Sequence, residues 1–218
     1  IGSANPDGTL GAMGGQWATA ASSYNIAIGT GSMAGAMNAA SQNTAVGNTA
    51  LGALTTGDNN VAIGSGSLTL NADGANNVAV GTGSLSSNTA GANNTAVGYQ
   101  SLDAADDNSN NTAVGYQALT LAHHGSADYG QNTAVGKSAG DVITTGTRNV
   151  LIGQNVCSTG TNNLTTGNNN TVIGTIAEVS ALDASNQTVI GKGAVGQANN
   201  SVTLGNADVT AVYAASDG

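Results

Sequence analysis

The stretch NTAVGYQSLDAADDNSNNTAVGYQAL, from Asn94 to Leu119, contains the unit NTAVG twice, 17 positions apart. A five-residue unit ending in glycine recurs along almost the whole 218-residue chain, with its glycine at positions 29, 47, 64, 81, 98, 115, 136, 153, 174, 191 and 205. These intervals of 14 to 21 residues are too irregular for a heptad coiled coil. They are also shorter than helical repeats, which begin at about 33 residues. The pattern predicts a narrow β-solenoid of about eleven short coils.

Each unit is rich in β-branched residues and is bounded by turn residues, which is typical of a short strand. Side chains alternate between the faces of a strand, so we place the large aliphatic residue before each glycine, such as Val97, inside the coil. The side chain four residues after the glycine, such as Leu102, is expected on a second wall. Each coil would then have two short strands and two turns. The terminal glycine suits a sharp turn with positive φ.

The residue two before each glycine is also apolar in most copies. It is Ala27, Ala45, Ala62, Ala79, Ala96, Ala113, Ala134, Leu151, Val172 and Val189, with Thr203 last. If the larger aliphatic column lies inside, this column faces outward, and a strand that is apolar on both faces is buried on both. We therefore expect a second subunit on the alanine face, in a homo-oligomer closed about a long axis.

The composition excludes several classes of function. Only Lys137, Arg148 and Lys192 are positive in a chain of net charge -9, which argues against nucleic-acid binding and against attraction to an anionic membrane. No apolar run is long enough to span a bilayer, so no membrane insertion is expected. A single cysteine excludes an intrachain disulfide framework. The chain begins with Ile1 rather than Met, so we expect a processed chain or a fragment.

The units are followed by GSL or YQAL, as in GSGSL (64–68), GYQSL (98–102) and GYQAL (115–119). This pattern resembles the heads of YadA-like trimeric autotransporter adhesins. It also resembles the repeat region of trimeric phage tail fibre and tailspike proteins that carry an endosialidase-type intramolecular chaperone. The resemblance covers roughly residues 24 to 218, and the closing stretch NSVTLGNADVTAVYAASDG (200–218) resembles the junction before such a chaperone.

The resemblance implies an all-β fold, a parallel β-solenoid of the left-handed β-roll type with about 17 residues per coil, in a homotrimer. It also implies cleavage near Ser216 and Asp217. Adhesin repeats are usually shorter, and no neck, stalk or membrane anchor is present in the sequence, which favours the fibre group. We divide the chain into an N-terminal cap or connector (1–23), a roll (24–205) and a C-terminal connector (206–218).

The expected function is that of a structural and adhesive segment of a fibre, at the virion surface or otherwise extracellular, and not an enzyme. The segment would present loops for attachment to a cell-surface glycan or protein receptor, beside other fibre proteins. A bacterial YadA-like adhesin head is the alternative. A glycan-degrading tailspike and an ice-binding solenoid remain open as competing classes.

One longer coil contains LAHHGSADYG, and its insertion makes His123, His124, Asp128 and Tyr129 candidates for a receptor-facing loop. His123 and His124 could bind a metal if three copies met on an axis. Adjacent side chains usually diverge, however, and no further ligand stands at a known spacing, which favours an exposed loop.

A second turn collects Asp103, Asp106 and Asp107. Paired carboxylates could serve glycoside hydrolysis or hold Ca²⁺. Because the chain lacks a known calcium-loop pattern, we favour a solvated turn and expect no cofactor, with Asp106 and Asp107 kept as weak metal candidates.

Two further columns are polar. The residue four before the glycine is Asn in the first nine copies, which predicts a ladder of stacked amides between coils. The residue three before it is Thr in six copies, which would suit ice binding if the face were flat and exposed. The threonine column shares a face with the large aliphatic column, which we place inside the coil, and this argues against ice binding. Cys157 should be a small buried side chain, and the coil around Glu178 should be reshaped to expose the carboxylate. Trp17 and Tyr24 are expected to cap the first coil.

Overall fold

The computed structural model describes residues 22–122 and 130–212. Eleven short strands run through them: β1 (Ile26–Ile28), β2 (Thr44–Val46), β3 (Val61–Ile63), β4 (Val78–Val80), β5 (Thr95–Val97), β6 (Thr112–Val114), β7 (Thr133–Val135), β8 (Val150–Ile152), β9 (Thr171–Ile173), β10 (Gln187–Ile190) and β11 (Ser201–Leu204). They form one 11-stranded sheet in chain order. Every neighbouring pair is parallel. The chain is therefore an all-β solenoid of about ten turns, about 17 residues apart, as the sequence predicts.

The strands are stacked in register, but the side that faces the core is the reverse of the one expected. Ala96 pairs with Ala113, and both are completely buried, whereas Val97 keeps 36% of its surface exposed. The placement of the larger aliphatic column inside the coil, with alanine outside, is therefore wrong. The coil is too narrow for two large side chains, because the leucine of the opposite wall, such as Leu102, already fills it and is itself fully buried.

One coil shows this pairing of sizes directly. Where the leucine of the opposite wall is replaced by Gly140, the strand carries Leu151 in place of alanine, and Leu151 is fully buried. A Cβ added at Gly140 would lie only 2.5 Å from Cδ1 of Leu151. In this coil the larger side chain therefore comes from the strand instead of from the opposite wall, and the core is filled in both arrangements.

The second wall of the coil is not a strand, which corrects the expectation of two strands per coil. Its leucines have left-handed backbone angles, with φ of 49° at Leu68, 50° at Leu85 and 51° at Leu102. A β-strand cannot contain such a residue, because its φ is negative. The described part of the chain therefore has one strand per regular coil, and turns carry the leucines inward.

The glycine that ends each unit is required by backbone geometry, as predicted. Gly98 has φ of 140°, and a Cβ there would lie 2.2 Å from the carbonyl oxygen of Gly115 in the next coil. A side chain would therefore be strained by the φ angle and would also collide with the neighbouring coil.

The asparagine column forms the predicted ladder. The Nδ2 group of Asn77 donates to Oδ1 of Asn60 at 3.1 Å and to the carbonyl oxygen of Gly91 at 2.8 Å. The Oδ1 atom of Asn77 accepts the backbone N–H of Asn94 at 2.9 Å. The bond from a backbone N–H to the Oδ1 atom of the preceding coil repeats at every step from Asn25 to Asn170, where the backbone N–H of Gln187 takes the last acceptor.

The remaining structural expectations have mixed outcomes. Cys157 is fully buried, as predicted, and Glu178 is only half-buried because Val179 takes the core position beside it. Tyr24 keeps 85% of its surface exposed, so the expectation that it caps the first coil is wrong. Trp17 lies outside the described residues.

Candidate functional site

The outward side of the sheet forms one continuous surface along all eleven strands. We call it the outer face and define it by two columns of residues, three before and one before each glycine. The first column is Ile26, Thr44, Val61, Val78, Thr95, Thr112, Thr133, Val150, Thr171, Thr188 and Val202; the second is Ile28, Val46, Ile63, Val80, Val97, Val114, Val135, Ile152, Ile173, Ile190 and Leu204. No member of either column is ionisable.

The outer face is long, narrow and regular. With about 4.8 Å between strands, eleven strands give a length of roughly 50 Å, and three residues of strand give a width of roughly 10 Å. The second column is aliphatic throughout, and its exposed fractions include 43% at Ile28, 37% at Val135 and 41% at Ile190. The two columns together project an area of roughly 500 Å², of which the aliphatic column is an unbroken apolar strip, while the first column carries threonine at six of its eleven positions. An apolar surface of this length needs a partner to explain it.

A second feature lies at the corner that follows the outer face. Tyr99 and Tyr116 stack on successive coils, with ring centroids 5.3 Å apart and planes 14° from parallel. The Nζ atom of Lys137, one coil further on, lies 5.9 Å from the ring centroid of Tyr116. Beside the rings, Nε2 of Gln117 donates to Oε1 of Gln100 at 3.0 Å. We call these five residues the tyrosine patch.

The aspartates of the acidic turn bind hydroxyl groups of the preceding coil. Asp103 accepts a hydrogen bond from Ser86, and Asp107 accepts one from Thr89. Within residues 22–122 and 130–212, no group of three or more His, Cys, Asp and Glu side chains could hold a metal ion.

The same kind of link stabilises another coil. Both hydroxyl groups of Thr55 and Thr56 donate to Asp73 at 2.7 Å, and these two hydrogen bonds hold the pKa of Asp73 below its usual range. Carboxylate–hydroxyl links between coils therefore recur along this surface, and they give the aspartates a structural role.

Burial shifts the pKa of two titratable groups. Burial raises the pKa of the Cys157 thiol to about 12, so the thiol stays protonated and is a poor nucleophile. Burial also raises the pKa of Asp141, against the lowering effect of hydrogen bonds from Ser158 and Ser138. Among the described residues, neither group belongs to a cluster of three or more His, Cys, Asp and Glu side chains that could hold a metal ion.

Several residues named from the sequence lie outside the described ranges. These are the receptor-loop and metal candidates His123, His124, Asp128 and Tyr129, and the processing candidates Ser216 and Asp217.

Sequence reasoning missed both the outer face and the tyrosine patch. The exchange of sizes between Gly140 and Leu151 was a signal for the first. The occurrence of Tyr99 and Tyr116 one coil apart was a signal for the second, because residues one coil apart lie above each other.

Comparison with family models, with curated proteins and with solved structures finds no match to this chain in any of the three. The part of the chain described here also contains no helix that is long and apolar enough to cross a membrane.

Proposed function

We propose that this chain is a structural and adhesive segment of a trimeric fibre, at a virion or bacterial surface, and that its outer face is the contact between subunits. The observation that carries the proposal is the unbroken aliphatic column on the outward side of an 11-stranded sheet. The left-handed sense of the roll and the number three come from the resemblance to trimeric fibres and adhesins. The oligomer expected from the sequence is retained, but the aliphatic face replaces the alanine face as its contact.

The outer face suits a second copy of the same chain. Every copy has the same surface, about 50 Å long, so rods placed side by side about a common axis cover one another along their whole length. Neither column contains an ionisable side chain, so such a contact would not remove water from a charged group. Such burial also explains how aliphatic side chains as exposed as Ile63, at 42%, are compatible with a soluble fibre.

Adsorption to ice is a second candidate use of the same face. The threonine column shares the outward side with the aliphatic column, which removes the objection that it lies with the core. Thr95, Thr112 and Thr133 stand on three successive strands in register. Five positions of that column are Val or Ile, however, and every position of the second column is aliphatic, so the face is better suited to a protein surface than to ordered water.

The proposal is tested by placing charge on the outer face. We expect Val97→Lys with Val135→Lys to convert the trimer to monomers, because three like-charged pairs of side chains would meet near one axis. The matched control is Leu70→Lys with Leu182→Lys, since these leucines are 51% and 52% exposed in turns. Sedimentation velocity measures the oligomer, and far-UV circular dichroism checks that each variant is folded.

Each outcome is informative. Dissociation of the sheet variant alone supports the proposal. An unchanged trimer in the sheet variant would place the contact elsewhere. If the unmodified chain is already a monomer, the trimer is wrong, and thermal hysteresis of freezing that Thr112→Tyr abolishes would establish the ice-binding alternative.

A further inference from the structure

We infer that the tyrosine patch is a glycan-binding site on the side of the rod. The inference deepens the proposed attachment function, and it rests on that function for its biological role but not for its geometry. The ligand is a pyranose sugar, recognised through its C–H groups by the exposed rims of the tyrosine rings and through its hydroxyl groups by the glutamine amides, with Lys137 placed to pair with the carboxylate of an acidic sugar.

The rings supply a rigid platform. Tyr99 and Tyr116 are held by their mutual stacking and by backbone positions fixed on adjacent coils, yet they remain 45% and 47% exposed. Tyrosine offers a large amphipathic contact area at low conformational cost, because only two side-chain torsions need to be ordered. The exposed rims therefore need little rearrangement to receive a ligand.

The amides supply paired polar groups beside the rings. The hydrogen bond between Gln117 and Gln100 fixes both side chains and aligns them along the stack. An amide has two donor hydrogens and one carbonyl acceptor, so this single bond leaves the Nε2 donors of Gln100 and the Oε1 acceptor of Gln117. Within the described residues neither of these groups has another partner, so both can bind adjacent hydroxyl groups of a sugar.

The patch is also chemically distinct from the rest of its column. The residue after the glycine is Thr, Asn or Ser in the coils before it, at Thr30, Asn48, Ser65 and Thr82, and changes to tyrosine only at positions 99 and 116. Lys137 follows in the next coil and is one of three basic residues in a chain of net charge -9. A lysine recurs in this column at Lys192, so the lysine is not peculiar to the patch, but a small residue would complete these turns equally well and the repeat itself does not account for the two tyrosines.

The test uses the full chain on arrays of defined oligosaccharides that end in a neutral hexose, an N-acetylhexosamine, or a sialic or uronic acid. The first variant is Tyr99→Ser with Tyr116→Ser, and the second is Gln100→Ala with Gln117→Ala. Tyr24→Ser is the matched control, because Tyr24 is exposed on the first coil, away from the patch. Light scattering gives the mass of each variant, so that loss of binding is separated from loss of assembly.

We expect the unmodified chain to bind at least one of the three classes, and both double variants to weaken that binding by at least about tenfold, a loss typical of central contact residues. Lys137→Met should weaken binding only to the acid-terminated sugars. No binding to any class, or equal binding by the patch variants and by Tyr24→Ser, would overturn the inference. A chain that binds through the patch as a monomer would leave the glycan site standing and remove the trimer, whereas a trimer without binding would do the opposite.

Discussion

Replacing Asn77 with alanine should destabilise the solenoid far more than its size suggests. The side chain joins three successive coils, because it donates to Oδ1 of Asn60 at 3.1 Å and to the carbonyl oxygen of Gly91 at 2.8 Å, and accepts the backbone N–H of Asn94 at 2.9 Å. Asn77 is completely buried, so these bonds are shielded from bulk solvent.

The size of the loss in the free energy of unfolding depends on which polar groups have no hydrogen-bond partner left in the variant. The Gly91 carbonyl still accepts from Asn88 at 3.0 Å, and Oδ1 of Asn60 still accepts the backbone N–H of residue 77 at 3.0 Å. The buried N–H of Asn94 has no such substitute, which costs about 2 kcal/mol, and the two lost bonds of Nδ2 cost about 1 kcal/mol each. We therefore expect the free energy of unfolding to fall by about 4 kcal/mol, a large fraction of a typical domain's stability.

Urea unfolding followed by far-UV circular dichroism, at one fixed protein concentration, measures this loss. The matched control is Asn48→Ala, because Asn48 is exposed and the one described hydrogen bond of its side chain, to the carbonyl oxygen of Thr30, is 3.3 Å long. The control should change the free energy of unfolding by at most about 0.5 kcal/mol. Equal effects of the two variants would refute the view that the amide ladder holds the coils together.

Four other changes have expected outcomes. Leu85→Ala should lower the free energy of unfolding by about 3 kcal/mol, because Leu85 is fully buried. In the same urea assay, Leu70→Ala should lower it by less than about 0.5 kcal/mol, because Leu70 is exposed. Gly98→Ala should cost more than about 3 kcal/mol, because of the positive φ and the collision with the next coil; a stable variant would contradict that reading. Since burial raises the pKa of Asp141, its ionisation costs stability as the pH rises from 3.8 through the raised pKa. Asp141→Asn should therefore raise the melting temperature at pH 7 but not at pH 3, and equal shifts at both would disprove the cause. Because burial raises the pKa of Cys157 to about 12, iodoacetamide at pH 8 should label the thiol only after unfolding, which mass spectrometry of the folded and unfolded chain would detect.

The coil repeat could be predicted from the sequence because each unit repeats the same local chemistry. β-Branched residues, an asparagine and a terminal glycine recur together, and each has its own physical requirement for strand, amide ladder or turn. Eleven copies in one order leave few alternatives to a stacked parallel sheet. The same reasoning fails for the second wall, because a leucine such as Leu68 in the left-handed region is rare and propensity favours a strand there.

The core-facing side of the strand was harder to predict because alternation defines two faces without saying which is inside. Size alone favoured Val97 over Ala96 as the core residue. The width of the coil decides the matter, and that width depends on the leucine from the other wall, which meets alanine in most coils. The binding surfaces follow from this assignment, so neither the outer face nor the tyrosine patch beside it could be recognised until the coil was oriented.

The most direct test of the account is the mass of the unmodified chain in solution, measured by multi-angle light scattering over a hundredfold range of concentration. A subunit contact through the outer face predicts three times the chain mass of 20.9 kDa throughout that range. A mass of 20.9 kDa at every concentration would contradict it, because the aliphatic column would then face water along its whole length.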